Sequence, residues 1–481
     1  MAKLKNIIKQ LPEKDFTSIY DSLIVSNAEK SAFLLKALRE RNVSDTRIMT
    51  DLEVNANAYY TLRSRLNLKI EEYLMEQLES PRADVLRKVA NINEIIFTKK
   101  RAIAIATLKK LEKDLIDYDL SNELTIVYKS LKKLHVNSPD YFHYSQLYNR
   151  HVAYMLALDK AEDLLADYFK KYGSFLLNGD ESEKMGLSLL LREMQNVANL
   201  YESHRLFVYR SIMLIFHRLF VEPDENLQQD SESIEDIFAR IQKIFESYGL
   251  DSIYYHLNLV VEFLKLEYYN YYKVYRQAEK HFEEVNDATA NLLTNYTTFV
   301  FPAQFLISKI NRELRMGTEG ELYQEAEGLF LDYEADTLDI PRHVIYFTYK
   351  TLACYYSGKY EEGSKLLNSL LNEVSLKKYP YIALELKSLL ALFYALLRDY
   401  ELFNQLANSI QRQIRLFEKD ACENILLLIK ILKIAVSEVK KEKTKKINAI
   451  IPKLANIKTP YFAPTLLIKL DEKLVGKLTE F

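Results

Sequence analysis

The stretch Leu352–Leu371, LACYYSGKYEEGSKLLNSLL, decides how this chain is read. Leu352, Ala353, Tyr355 and Tyr356 lead into Ser357-Gly358-Lys359, and a second apolar pattern starts at Tyr360 and continues through Gly363 and Leu367. Offsets of three and seven put those three residues on one face of a helix, against which a preceding antiparallel helix must pack. The small residue lets two backbones approach, and the aromatic fills the corner beside the turn. The same pattern recurs as Tyr275, Ala278 and Phe282, as Tyr323, Ala326 and Phe330, and, with Phe403 at the middle position, as Tyr400 and Ala407. Successive starts lie 48, 37 and 40 residues apart, which predicts units of unequal helix length.

Outward from this stretch the apolar spacing stays at three and four residues, as in Leu386, Leu389, Leu390, Phe393 and Leu397. Strict alternation is sustained nowhere. The predicted fold is all-α. With 481 residues the chain exceeds the ~250–300 at which one core stops growing, so it holds several domains or a repeat array. Only 10 Gly and 10 Pro leave few tight turns for sandwiches, barrels or doubly wound sheets. Breaks at Ser80-Pro81 and at Glu222–Ser233 (EPDENLQQDSES) predict a small N-terminal helical domain over 1–80, helical hairpins over 81–222 and a repeat region over 233–481.

On these residues the segment from about Asp251 to Arg415 resembles the tetratricopeptide repeat family, Gly358-Lys359-Tyr360 standing where that family turns between helices. It departs from the family in having no Trp, in Phe403, and in its uneven intervals. The resemblance implies a solenoid of antiparallel helix hairpins that binds a protein or peptide as a scaffold and catalyses nothing.

A second pattern lies in Ile48–Leu66, IMTDLEVNANAYYTLRSRL. Ile48, Leu52, Val54, Leu62 and Leu66 are apolar where two short helices would cross, and Asn55 and Asn57 sit where a turn and a helix cap are wanted. This resembles a helix-turn-helix supported by a helix over Ala28–Arg41. A DNA-binding version would bring Asn57 and Tyr59 to base edges and Arg63 to phosphate. The chain would then be a transcriptional regulator whose repeats sense a peptide, similar to bacterial peptide-sensing regulators. Glu53 at the usual glycine position and a near-neutral first 75 residues favour a capping or protein-docking module instead.

The remaining chemistry is sparse. A formal net charge of −2 provides no global field for nucleic acid or anionic membrane. Phosphate-loop, dinucleotide, HExxH, CxxC and EF-hand patterns are absent, so no cofactor and no metal is expected. His135, His143 and His151 are evenly spaced, but Pro139 interrupts the helix that would align them. Cys354 and Cys422 read as packing thiols of a reducing compartment, and the lack of signal-peptide and membrane-length apolar runs predicts a cytoplasmic protein. Lys440–Lys446 forms the one dense basic run, read as a charged connection. The 35 Tyr, densest at Tyr268, Tyr269, Tyr271, Tyr272 and Tyr275, are read first as inter-helix packing and second as anchors of a binding face. Oligomeric state and partner identity are not written in these patterns.

Overall fold

The computed structural model describes residues 4, 8, 11, 13–26, 28–40, 45–52, 54, 56–77, 81–201, 203–222, 232–248, 252–329, 338–417, 421–437, 442–457, 459 and 461–479. Among them every regular element is helical and no strand occurs, as the apolar spacing predicts. The chain divides into two compact units, Met1–His151 and Val152–Phe481.

In the first unit, α1 (Glu13–Val25), α2 (Glu29–Glu40), α3 (Asp45–Asp51) and α4 (Ala56–Gln77) enclose a core that includes Ile19, Leu34, Leu35, Ile48 and Leu66. Then α5 (Pro81–Ala90), α6 (Ile92–Thr98), α7 (Arg101–Asp117) and α8 (Ser121–Leu134) share a separate core around Leu108, Leu115, Val127 and Leu131. The unit boundary falls inside α9 (Asp140–Asn178).

The second unit continues with α10 (Glu181–Leu200), α11 (His204–Phe220), α12 (Ile234–Ser247), α13 (Ser252–Tyr271), α14 (Tyr275–Asp287), α15 (Thr289–Asn295), α16 (Ala303–Met316) and α17 (Leu322–Leu329). It ends with α18 (Ile340–Tyr356), α19 (Tyr360–Glu373), α20 (Pro380–Leu396), α21 (Tyr400–Ile414), α22 (Glu423–Val436), α23 (Lys443–Asn448), α24 (Ile451–Ala455) and α25 (Glu472–Thr479). One core runs through it from Ala157 to Leu478. It continues on both sides of the polar segment 222–233, of which 223–231 lie outside the described residues.

Neighbours in sequence are neighbours in space. The pairs α13–α14, α18–α19 and α20–α21 pack together, α19 also packs on α20, and α18 on α16 and α17. The connections explain why. Among the described residues the chain reverses four times through the same three-residue connection, whose last two residues are Asp119-Leu120, Lys273-Val274, Gly358-Lys359 and Arg398-Asp399. The first residue of each pair is left-handed, with φ of 50°, 58°, 78° and 62°. The second has φ between −83° and −87° and starts the next helix. At each turn the left-handed N–H donates three residues back and the next N–H five residues back, as in Lys273 to Asn270 O and Val274 to Tyr269 O. These bonds use up carbonyls that a helix end would leave bare.

The repeated positions behave alike where they are described. Ala278, Ala326, Gly363 and Phe403, three residues in, are buried, as are Phe282, Leu367 and Ala407, seven residues in. Phe330 lies outside the described residues. At Gly363 a Cβ would stand 2.7 Å from the Phe393 ring and 3.3 Å from Cys354 Cβ, so the close approach of α19 to its neighbours depends on its absence. The Tyr that opens each pattern sits at the rim, half-buried or exposed.

The two glycines of this hairpin should therefore fail for different reasons. No atom lies within 4 Å of a Cβ at Gly358, so Gly358→Ala costs only the left-handed backbone, about 1 kcal/mol. Gly363→Ala overpacks and costs about 1–3 kcal/mol. Arg398→Gly relieves the same backbone and gains about 0.5–1 kcal/mol. Chemical denaturation of the three variants measures the order, and a stabilised Gly363→Ala would contradict this packing.

Candidate functional site

The rim tyrosines meet cations from later parts of the chain. The Arg315 guanidinium lies 3.8 Å from the Tyr275 ring centroid, Lys359 Nζ 3.4 Å from that of Tyr323, and Lys477 Nζ 5.3 Å from that of Tyr360. Tyr323 OH also donates to both oxygens of Glu362, at 3.2 and 3.0 Å. These are contacts at helix ends, each worth about 1 kcal/mol or less while solvated. The dense cluster does not form a single patch. Tyr268 is buried and donates to Glu235, Tyr269 stacks on His281, and Tyr271, Tyr272 and Tyr275 are exposed.

Two features of the second unit present room and polar atoms together. The first is a hollow of about 570 Å³ between α12, α13, α14 and Tyr296. Tyr255, 80% exposed, stands at its edge with His256, while Tyr254, Asn258, Glu284 and Asn291 line it. Aromatic faces beside amide groups suit a peptide better than an apolar small molecule.

The second is the face on which residues 461–469 lie. This segment is irregular apart from a short 3₁₀ turn at Pro464–Leu467, yet Phe462, Ala463, Thr465, Leu467 and Ile468 are buried. Its backbone is held by helices remote in sequence. Phe462 N–H donates to Leu176 O of α9 at 2.8 Å. Thr465 N–H donates to Glu385 Oε2 of α20 at 3.0 Å. Tyr356 OH of α18 donates to Leu467 O at 2.5 Å and accepts from Lys469 N–H at 3.0 Å. Beneath Thr465 lies a fully buried polar cluster. Tyr381 OH donates to Glu385 Oε1 at 2.9 Å, and Asn424 Nδ2 contributes to the same oxygen and to Thr465 Oγ1, the latter at 3.0 Å. Burial raises the Glu385 carboxyl above its ordinary range, although Thr465, Asn424 and Tyr381 all favour its charged form. Tyr461 covers Gly179, whose φ of +60° and missing side chain leave the ring its place.

Beside this face a second carboxyl is buried. Glu267 of α13 accepts from Ser308 Oγ at 2.8 Å through Oε2, and its Oε1 has no hydrogen-bond partner among the described residues. Burial pushes its pKa up to about 8. The two thiols are buried as well, and burial pushes Cys354 up to about 12 and Cys422 up to about 11, which leaves neither a nucleophile at neutral pH. His135 bonds to Ser138 and His151 lies against Tyr128, so the evenly spaced histidines have separate surroundings. Among the described residues no three His, Cys, Asp or Glu converge as metal ligands. No helix among them is long and apolar enough to cross a membrane.

In the first unit, α3 and α4 fall on the two helices read from Ile48–Leu66. Ile48, Leu52 and Leu66 are buried, and Val54 and Leu62 pack against the same core. Tyr59, expected at a base edge, is wholly buried instead, because Tyr59, Leu62, Leu66 and Ile70 form the inward stripe of α4. Arg63 is half-buried, and Arg65 is exposed. Asn57 is helical, but its side chain lies outside the described residues, as do Glu53 and Asn55.

Neither Glu267 nor Glu385 was singled out from the sequence. The available signal was a carboxylate inside an apolar helix stripe, as in Leu384-Glu385-Leu386.

Glu267 has a consequence for stability. Its folded carboxyl keeps the proton to about pH 8, against an ordinary value of 4.5, so the folded state binds more protons between those values. The stabilisation is full below the ordinary value and is lost as pH rises through the folded one. Glu267→Gln, which keeps an acceptor for Ser308, should flatten this slope, adding about 2–4 kcal/mol at pH 8 and little at pH 4. Parallel melting-temperature profiles for the two chains would refute a buried neutral carboxyl.

No family model matches the chain, and no curated protein or solved structure is similar to it.

Proposed function

We propose that the second unit is a degenerate, tetratricopeptide-like solenoid of antiparallel helix hairpins and that the protein is a non-enzymatic scaffold for a protein or peptide. The carrying observation is the pairing of α13–α14, α18–α19 and α20–α21 through one recurrent turn, with the same inner positions buried in each. Such a row presents a long surface of helix flanks, suited to an extended partner. The aromatic and amide lining around Tyr255 supports that reading, and the raised thiol pKa values give no support to nucleophilic catalysis. Two buried free thiols suit a reducing compartment such as the cytoplasm.

A transcriptional regulator is the second reading. It draws on α3 and α4, two successive helices that share one core. It loses Tyr59 as a contact, which leaves Asn57 and Arg63 to carry it.

Affinity capture with the full chain and mass spectrometry tests the scaffold reading, with Tyr255→Ala as the paired bait. The expected result is a stoichiometric protein or peptide partner whose recovery falls at least about tenfold with the variant, as for a central aromatic anchor. Recovery of no partner above background by the wild-type chain would sink it. Sequence-selective retention on DNA at ~50 mM salt would favour the regulator.

A further inference from the structure

The segment 461–469 is bound the way a ligand is bound. Besides the short 3₁₀ turn, with Leu466 N–H on Ala463 O, its backbone N–H and C=O groups pair with Leu176 O, the Glu385 carboxyl and Tyr356 OH, from three helices far away in sequence. Main-chain bonds of this kind recognise the path of a backbone, and pockets between them select side chains. Phe462, Thr465 and Leu467 occupy those pockets.

The fit is incomplete on both sides. A cavity of about 300 Å³ remains between Tyr461, Phe462 and Leu466 on the segment and Leu219, Phe220 and Ile307 below it. A second, of about 250 Å³ and mostly polar, opens where Lys469 and Lys477 cross Gly317, Gly320 and Tyr360. The lateral ties are exposed ones, Lys469 Nζ to Glu319 Oε1 at 3.1 Å and Lys477 Nζ to Tyr360 OH at 2.7 Å, and such pairs hold weakly in water. The floor is different. Glu385, Asn424 and Tyr381 are fixed polar groups on helices, and Asn424 Oδ1 has no hydrogen-bond partner among the described residues. An apolar cover would leave that floor unsatisfied, so the face demands a peptide backbone and a hydroxyl.

We propose that this face is a peptide-binding surface whose resting occupant is the chain's own segment 461–469, and that a partner presenting a similar stretch (aromatic, small, Pro, Thr, then two aliphatics) exchanges with it. The inference rests on the scaffold reading and deepens it by naming the occupant and the class of peptide. Tethering gives the segment a high effective concentration, so the intact chain resists weak peptides and admits those that match the floor.

The test uses the full chain and a fluorescent synthetic peptide of residues 459–471, TPYFAPTLLIKLD. Gly179→Asn loosens the segment, since Asn tolerates the left-handed backbone and its side chain takes the place of the Tyr461 ring. Thr465→Pro loosens it independently by removing the N–H given to Glu385. Hydrogen exchange over 461–469 reports release in each, and a protease site inserted after Asn456, cut in the purified chain with the C-terminal fragment then washed off in mild denaturant and the rest returned to buffer, supplies a bare face should both stay docked. Anisotropy titrations should show the probe binding at least about tenfold more tightly to the released chains than to wild type. A probe carrying Thr465→Pro should lose at least about tenfold on the same chains. Equal binding to wild-type and released chains would overturn the segment as occupant, while leaving a peptide site elsewhere on the scaffold. No binding to a chain shown to be released would overturn the face as a peptide site, and the capture experiment at Tyr255 would be unaffected.

Discussion

Two helices joined by only three residues must lie against each other, and each such pair still has a flank it cannot cover alone. The left-handed residue in the middle makes that short turn geometrically available. It points two successive N–H groups back at the last carbonyls of the first helix, and the second helix starts at once. No loop is left over to fold across the open flank, so the next pair covers it. The continuous core from Ala157 to Leu478 follows from this shortage of connecting chain.

The all-helical class and the inner faces were legible because burial imposes a period that the apolar residues display. Ala278, Gly363, Leu367 and Ala407 are all buried. The turns were legible only at Gly358. Asp119, Lys273 and Arg398 adopt the same left-handed backbone without glycine, and composition carries no mark of it. The opening tyrosines were read as corner fillers; Tyr323 and Tyr360 do pack on the edge of the core, and the sequence held no mark of the cations Arg315, Lys359 and Lys477 over three of the rings. Tyr59 was misread. An aromatic one helical turn from Leu62 belongs to the core stripe, and the neighbouring Asn and Arg residues drew attention to the wrong face.

The face beneath residues 461–469 was illegible for a different reason. That segment has apolar side chains but no helical period, and its partners range from Leu176 to Asn424. Long-range pairing between an irregular stretch and single polar residues on several helices leaves no local pattern. Glu385 and Asn424 appear in sequence as interruptions of apolar stripes, and only the assembled helices show that the interruptions coincide. A buried polar cluster of this kind adds little net stability, but it selects among possible covers with some rigour, since an imperfect one strands several groups at once.

Protein synthesis runs in one direction, and Leu176, Tyr356, Glu385 and Asn424 all leave the ribosome before residues 461–469 do. The helices that hold that segment are therefore complete, or nearly so, while their receiving face is still bare. Each new molecule passes through an interval in which Glu385 and Asn424 meet water or whatever polypeptide is nearby. A nascent chain covers these polar groups only once residues 461–469 have followed them.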